Sequence, residues 1–149
     1  MKTRQSGAAI VEFALILPLL LLLTIITTEF GRAIYQYNTV VKSVRGATRY
    51  LSLQTQSTEL TPNTAAIAEA TNLVVFGNLA GTGPAMVPGL ETSNVATPTW
   101  KTIGSNPPVN MVTIKVTGYT FHPLVTNVFG TAFGDITFND ISATMRCAS

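Results

Sequence analysis

The sequence predicts an α+β fold in which a long N-terminal helix, first transmembrane and then amphipathic, packs on a small antiparallel sheet with a second helix. Three observations predict it. The run Ala8–Ile26 carries one charge, Glu12, and matches the roughly 20 apolar residues that cross a bilayer as a helix. Beyond that run, apolar residues continue at helical spacing to Leu51. The C-terminal part then alternates apolar and polar residues with the period of strands, best from Val109 onward.

A core helix of a soluble protein would show polar residues on one face, and none occur between Phe13 and Leu23. The run therefore reads as a membrane span. Pro18 lies inside it and is expected to kink the helix, where neighbouring helices can absorb the lost hydrogen bond. Glu12 is costly in an apolar setting and is expected either to snorkel to the interface or to meet a partner. A basic stretch with Lys2 and Arg4 precedes the run, which ends in Thr24-Ile-Ile-Thr-Thr-Glu29 without the small-x-small pattern of a secretory cleavage site. Basic residues on both sides, Lys2 and Arg4 against Arg32, Lys42 and Arg45, leave orientation undecided by charge.

Phe30, Ile34, Tyr37, Val41, Val44, Thr48 and Leu51 recur at alternating steps of four and three, the spacing of a single apolar stripe. No proline interrupts Arg32–Leu60, so one helix from about Ala8 to Leu51 is expected, roughly 65 Å long. The stripe can pack on the protein's own globular part or on partner helices. Ser52–Thr61 reads as a polar linker. Thr61-Pro62 reads as the cap and first residue of a second helix, which runs to about Phe76 with Ile67, Ala70, Val74 and Gly77 on one face. Gly77 is a natural stop, and Asn78–Gly89 is a loop.

A strand is expected over Val95–Ile103, weakened by Pro98, and a stronger one over Val109–Phe121 with Val112, Ile114 and Val116 on one face. His122–Gly130 reads as a short helix begun at Pro123. The last strand runs from Ile136 to Cys147, its phase slipping at Asn139-Asp140 as a bulge would cause.

Composition and motifs argue against chemistry. There is no nucleophile elbow, phosphate loop or metal-ligand cluster, so no enzyme, cofactor or metal site is expected. His122 reads as a cap or turn residue, and Asp135 and Asp140 as loop acids. The net charge of +2 is scattered along the chain, so no nucleic-acid partner is expected. The single cysteine, Cys147, excludes an internal disulfide; it reads as a small buried apolar residue, with an intermolecular bridge as the alternative.

Gly7, then Val11-Glu12-Phe13-Ala14-Leu15, Leu17-Pro18 and Glu29-Phe30-Gly31-Arg32, together resemble the TadE-like family of minor pseudopilins of tight-adherence (Flp-type) pilus systems. The resemblance is close from Gly7 to Arg49, with a weaker echo in Tyr119-Thr-Phe-His-Pro-Leu124 and Ile141-Ser-Ala-Thr-Met-Arg146. One departure is Ser43-Val-Arg-Gly-Ala-Thr-Arg49, which keeps the spacing of the family's two arginines but moves its glycine.

The resemblance implies a pilin-like fold, a cytoplasmic leader of residues 1–7, a span over 8–28, a helical stalk over 29–52 and a periplasmic α+β domain over 53–149. It implies cleavage between Gly7 and Ala8 by a prepilin peptidase in the bacterial inner membrane. Glu12, with Phe13 beside it, would then set register against a new α-amine at Ala8, its own or a neighbour's. The implied partners are other pilins and the pilus assembly platform, and the implied role is pilus assembly and surface adhesion. The competing reading is an uncleaved, membrane-tethered periplasmic scaffold or binding protein.

Overall fold

The computed structural model describes residues 6–54 and 63–147. Its first element is one unbroken helix, α1, Ser6–Gln54, with Pro18 inside it. At 1.5 Å per residue, its 49 residues extend roughly 74 Å. A second helix, α2 (Thr64–Phe76), packs beside its C-terminal half. The expected start of α2 at Thr61-Pro62 lies outside the described residues. In the structure Asn63 caps the helix, its side-chain oxygen accepting from the Ala65 N–H at 3.0 Å. Gly77 ends it as expected. Its φ of 72° lets the chain turn left-handed while its N–H bonds the Leu73 carbonyl.

The main sheet has three antiparallel strands in the order β1 (Val95–Ile103), β2 (Val109–Val116) and, beyond two short pairings, β7 (Ile141–Arg146). β2 lies in the centre. Its Val112, Ile114 and Val116 stand opposite Met145, Ala143 and Ile141, so one face of the sheet is apolar. Pro98 is accommodated because β1 is an edge strand. The register slips between Ala96 and Thr99, two residues opposing Ile114, and the buried Pro98 sits in that bulge.

The small pairings correct two expectations. The strand expected over Val109–Phe121 stops at Val116, because Gly118 turns the chain at a φ of 67°. Thr120–Phe121 (β3) then pairs with Ile136–Thr137 (β6), not with the main sheet. The slip at Asn139-Asp140 is therefore a change of sheet rather than a bulge, since β7 pairs with β2. The helix expected over His122–Gly130 is replaced by a bend and a small hairpin, β4 (Asn127–Val128) with β5 (Thr131–Ala132). Val125, Thr126 and Val128 are β-branched, which disfavours a short helix that nothing else supports.

The core lies between the C-terminal half of α1, the inner face of α2 and the apolar face of the sheet. Val40, Val44, Ala47 and Leu51 meet Ala70, Val74 and Val75, and Val112, Ile114 and Val116 close it. The stripe on α1 is not quite the expected one. Val44, Thr48 and Leu51 are buried, but nearer the N-terminus the buried line runs through Ala33, Gln36 and Val40, while Phe30, Ile34 and Tyr37 are exposed. An α-helix repeats every 3.6 residues, so a 3.5-residue stripe drifts around a straight rod, and the domain covers only part of it.

Among the described residues every buried side-chain polar atom has a hydrogen-bond partner. Thr48 and Ser52 donate back to the carbonyls of Val44 and Arg49. The Tyr119 hydroxyl donates to Gln36 Oε1 at 2.8 Å and joins the C-terminal region to α1. Tyr50 bonds Glu69 and joins α1 to α2. Cys147 is buried and forms part of the core, as the apolar reading expects.

Two outcomes follow from this packing. Ala33 is the first fully buried residue of α1, so a chain lacking residues 1–28 keeps the whole core and is expected to be soluble with a cooperative thermal transition. Aggregation of that fragment, with no transition, would show that the helix needs partner helices beyond the domain. Burial raises the Tyr119 pKa above its ordinary value of 10.0, with Arg32 partly opposing it. The native state thus holds that proton more tightly than the unfolded state. Its stability contribution is complete below about pH 10 and is lost as pH rises through the raised value. Tyr119→Phe should flatten this alkaline loss and, by stranding Gln36 Oε1, lower stability at neutral pH by about 1–3 kcal/mol in denaturant titrations. Tyr50, whose pKa is also raised, chiefly by its bond to Glu69, contributes to the slope that remains.

Candidate assembly surface on the N-terminal helix

The N-terminal stretch of α1 stands clear of the globular domain as far as Leu21. Residues 7–21 are all exposed, among them Ile10, Phe13, Leu15 and Leu19. By length and composition this part of the helix fits a bilayer crossing. Its polar side chains bring no unsatisfied donors into such a setting. Thr24, Thr27 and Thr28 each donate to the carbonyl four residues back at 2.8 Å.

The residues singled out from the sequence lie along this bare rod. Gly7 and Ala8 are in its first turn, exposed, and a Cβ added to Gly7 meets nothing within 4 Å. Glu12 and Phe13 stand one turn further on, both exposed, and no hydrogen bond or ion pair reaches Glu12 among the described residues. Pro18 sits inside the helix, between exposed leucines. All five are exposed, clear of the globular part.

Sequence reasoning assigned no role to the pair that joins the rod to the domain. Glu29 and Arg32 are three residues apart on α1, and Arg32 Nη2 and Nε both donate to Glu29 Oε2, at 2.7 and 3.2 Å. Arg32 also donates to the His122 carbonyl at 2.8 Å and lies over the Phe121 ring, 4.5 Å from its centroid. The other Glu29 oxygen accepts from the Leu124 N–H at 3.3 Å. One Glu29 oxygen and the planar guanidinium thus bind one short segment of chain, while the other oxygen holds the guanidinium in place. An arginine fits this role because it offers a flat face to the ring and a fork to the acid. The sequence signals were present but unconnected: opposite charges at i, i+3, and the echo of the family pattern in Tyr119–Leu124. The structure brings the two together.

His122 lies in the irregular stretch after β3, its Nδ1 2.9 Å from Asp135 Oδ1 on the surface. Asp140 likewise meets Lys115 at 3.0 Å. Among the described residues no group of three His, Cys, Asp or Glu side chains converges on a common point.

Residues 7–49 match the TadE-like protein family. The TadE-like segment begins at Gly7, includes the bare rod and the Glu29–Arg32 pair, and ends in the part of α1 that enters the core. No curated protein and no solved structure matches the chain.

The clamp generates a specific expectation. Arg32→Ala removes the donor to the His122 carbonyl and half of the Glu29 environment, at a cost of about 1–3 kcal/mol. Hydrogen exchange should quicken at amides of residues 119–138 while β2 and β7 keep their protection. A uniform loss across the main sheet would show that the pair supports the whole fold rather than this attachment. Arg32→Lys keeps the charge but loses the fork and the flat face, and should fall between the two.

Proposed function

We propose that the protein is a minor pilin or pseudopilin of a tight-adherence pilus, acting in pilus assembly and surface adhesion. The observation that carries this reading is the TadE-like match, which starts at Gly7 and runs along a helix whose residues 7–21 are all exposed. Residues 1–7 act as a cytoplasmic leader, 8–28 as the inner-membrane span, 29–52 as the stalk and 53–149 as a periplasmic domain. A prepilin peptidase cuts between Gly7 and Ala8. The mature helix stays in the membrane until the assembly platform moves it against other pilins.

Register comes from Glu12. Cleavage creates an α-amine at Ala8, and a carboxylate one helical turn away, or on a neighbouring copy, neutralises it in an apolar setting where an unpaired charge is costly. Phe13 packs beside that pair. Pro18 kinks the span, and neighbouring helices supply what the missing N–H leaves open. The work is assembly, with no catalysed reaction and no cofactor.

The test uses two substitutions in a strain lacking the native copy. A Cβ at Gly7 meets nothing within 4 Å, so failure of the Gly7→Leu chain to shorten reports on the peptidase rather than on the fold. A Gly7→Leu chain that still shortens places the cut elsewhere. Glu12→Ala should insert in the membrane and be cleaved normally, yet lose co-purification with the major pilin and the platform. Glu12→Gln should fare almost as badly, because it keeps shape and hydrogen bonding but loses the charge pair. A tether that is never cleaved predicts the opposite: either change makes the span more apolar and leaves its membrane state unharmed. Normal piliation with cleaved Glu12→Ala as the sole copy would exclude the registration role.

A further inference from the structure

We infer that the segment 123–134 is a second membrane contact, a hairpin whose apolar tip rests in the headgroup and acyl boundary of the leaflet from which α1 emerges. The inference rests on the span reading above and adds to it a site outside the helix.

Position comes first. The Leu124 N–H is held by Glu29, three residues past Ile26, the end of the apolar run; at 1.5 Å per residue that is about 4–5 Å along the rod. A recess lined by Ile26, Phe30, Phe121, Pro123, Phe133 and Ile136 continues the apolar surface from the helix onto this segment. The clamp therefore fixes the segment at the level where the span ends.

Composition agrees. Residues 123–134, Pro-Leu-Val-Thr-Asn-Val-Phe-Gly-Thr-Ala-Phe-Gly, contain no Asp, Glu, Lys or Arg. Leu124, at 78% exposure, is the most exposed large apolar side chain among the described residues, and Phe129 is 68% exposed. Apolar side chains with aromatics and no charge are the composition of an interfacial contact.

Backbone conformation supplies an independent observation. Phe129 and Gly130 form the tip of the β4–β5 hairpin, with φ of 49° and 84°. Such a two-residue turn favours Asn-Gly, because asparagine tolerates the left-handed region and a bulky aromatic does not. Asn127 accepts from the Gly130 N–H at 3.1 Å, so the turn is otherwise well built. A strained phenylalanine whose ring touches little of the protein gains nothing for the fold. Its apolar ring gains only where water is absent.

The other end of the domain provides a control. From β2 the chain reaches Tyr119 beside Gln36 and then Phe121 over Arg32, so β2 runs toward the span. The β1–β2 turn with Ser105 consequently points away from it.

The experiment reads lipid depth in the full-length chain, reconstituted in phosphatidylcholine–phosphatidylglycerol vesicles carrying nitroxide lipids labelled either deep in the acyl chains, to report on residue 19, or near the headgroups, to report on residue 131. An environment-sensitive fluorophore is placed singly at Leu19→Cys, Thr131→Cys or Ser105→Cys in a Cys147→Ala background. The expected pattern is quenching at 19 and 131, and none at 105. Adding Phe129→Asn and Leu124→Asn should abolish most of the quenching at 131, while the asparagine at 129, suited to its φ, leaves the thermal transition unchanged or raised. Quenching at 19 with none at 131 overturns the lipid contact and keeps the span, leaving this face for a protein partner. Quenching at 131 that survives the double substitution also overturns it. Absence of quenching at 19 overturns the span reading and the lipid contact with it.

Discussion

Everything in this protein is arranged around a helix that is longer than the domain it serves. The rod from Ser6 to Gln54 is continuous, yet only its second half finds protein to pack on. Apolar surface is worth about 25 cal/mol for each Å² removed from water, so the bare half, with Ile10, Phe13, Leu15, Leu19 and their neighbours exposed, cannot rest in water as a lone monomer. It requires lipid or other helices. The same backbone therefore passes from bare surface to packed surface, and the point of exchange between them falls near Glu29–Arg32.

That exchange is handled by polar chemistry rather than by more packing. Below the junction the helix needs no partner from its own chain; above it Ala33, Gln36, Val40 and Val44 enter the core. At the junction, the paired acid and guanidinium bind the backbone at His122 and Leu124, and the Tyr119 hydroxyl bonds Gln36 one turn higher. Two successive turns of the helix thus hold one stretch of chain, Tyr119–Leu124. Bonds of this kind fix distance and orientation, which suits a domain that must sit at a defined height on its rod.

Much of this was legible from residues and some was not. The single long helix followed from an apolar run whose one charge is Glu12, joined to a heptad-like stripe without proline after Pro18, and the main sheet from the alternation Val112, Ile114, Val116. The β1 boundaries followed from Val95 and Ile103, and the only penalty, Pro98, turned out to lie on an edge where no N–H is needed. What could not be read was pairing. Ile136 and Ile141 look like one strand in sequence, but they belong to different sheets, because β6 pairs with β3 and β7 with β2. The segment after His122 misled through Pro123, a common helix opener, although its β-branched residues belong in a hairpin. Of the site, Gly7, Ala8, Glu12, Phe13 and Pro18 were legible as motif residues whose surroundings lie outside the chain. Glu29 and Arg32 stood in the same motif, but their role depends on contacts some 90 residues away that no local pattern encodes.

Processing at Gly7 decides whether the helix begins with the charge that Glu12 is proposed to meet. The intact mass of the protein extracted from membranes of its native host, read together with its N-terminal sequence, tests this most directly. A chain beginning at Ala8, carrying the free amine that Glu12 is proposed to meet, is the predicted result. A membrane-bound chain that retains residues 1–7, or one cut beyond the apolar run, would contradict it.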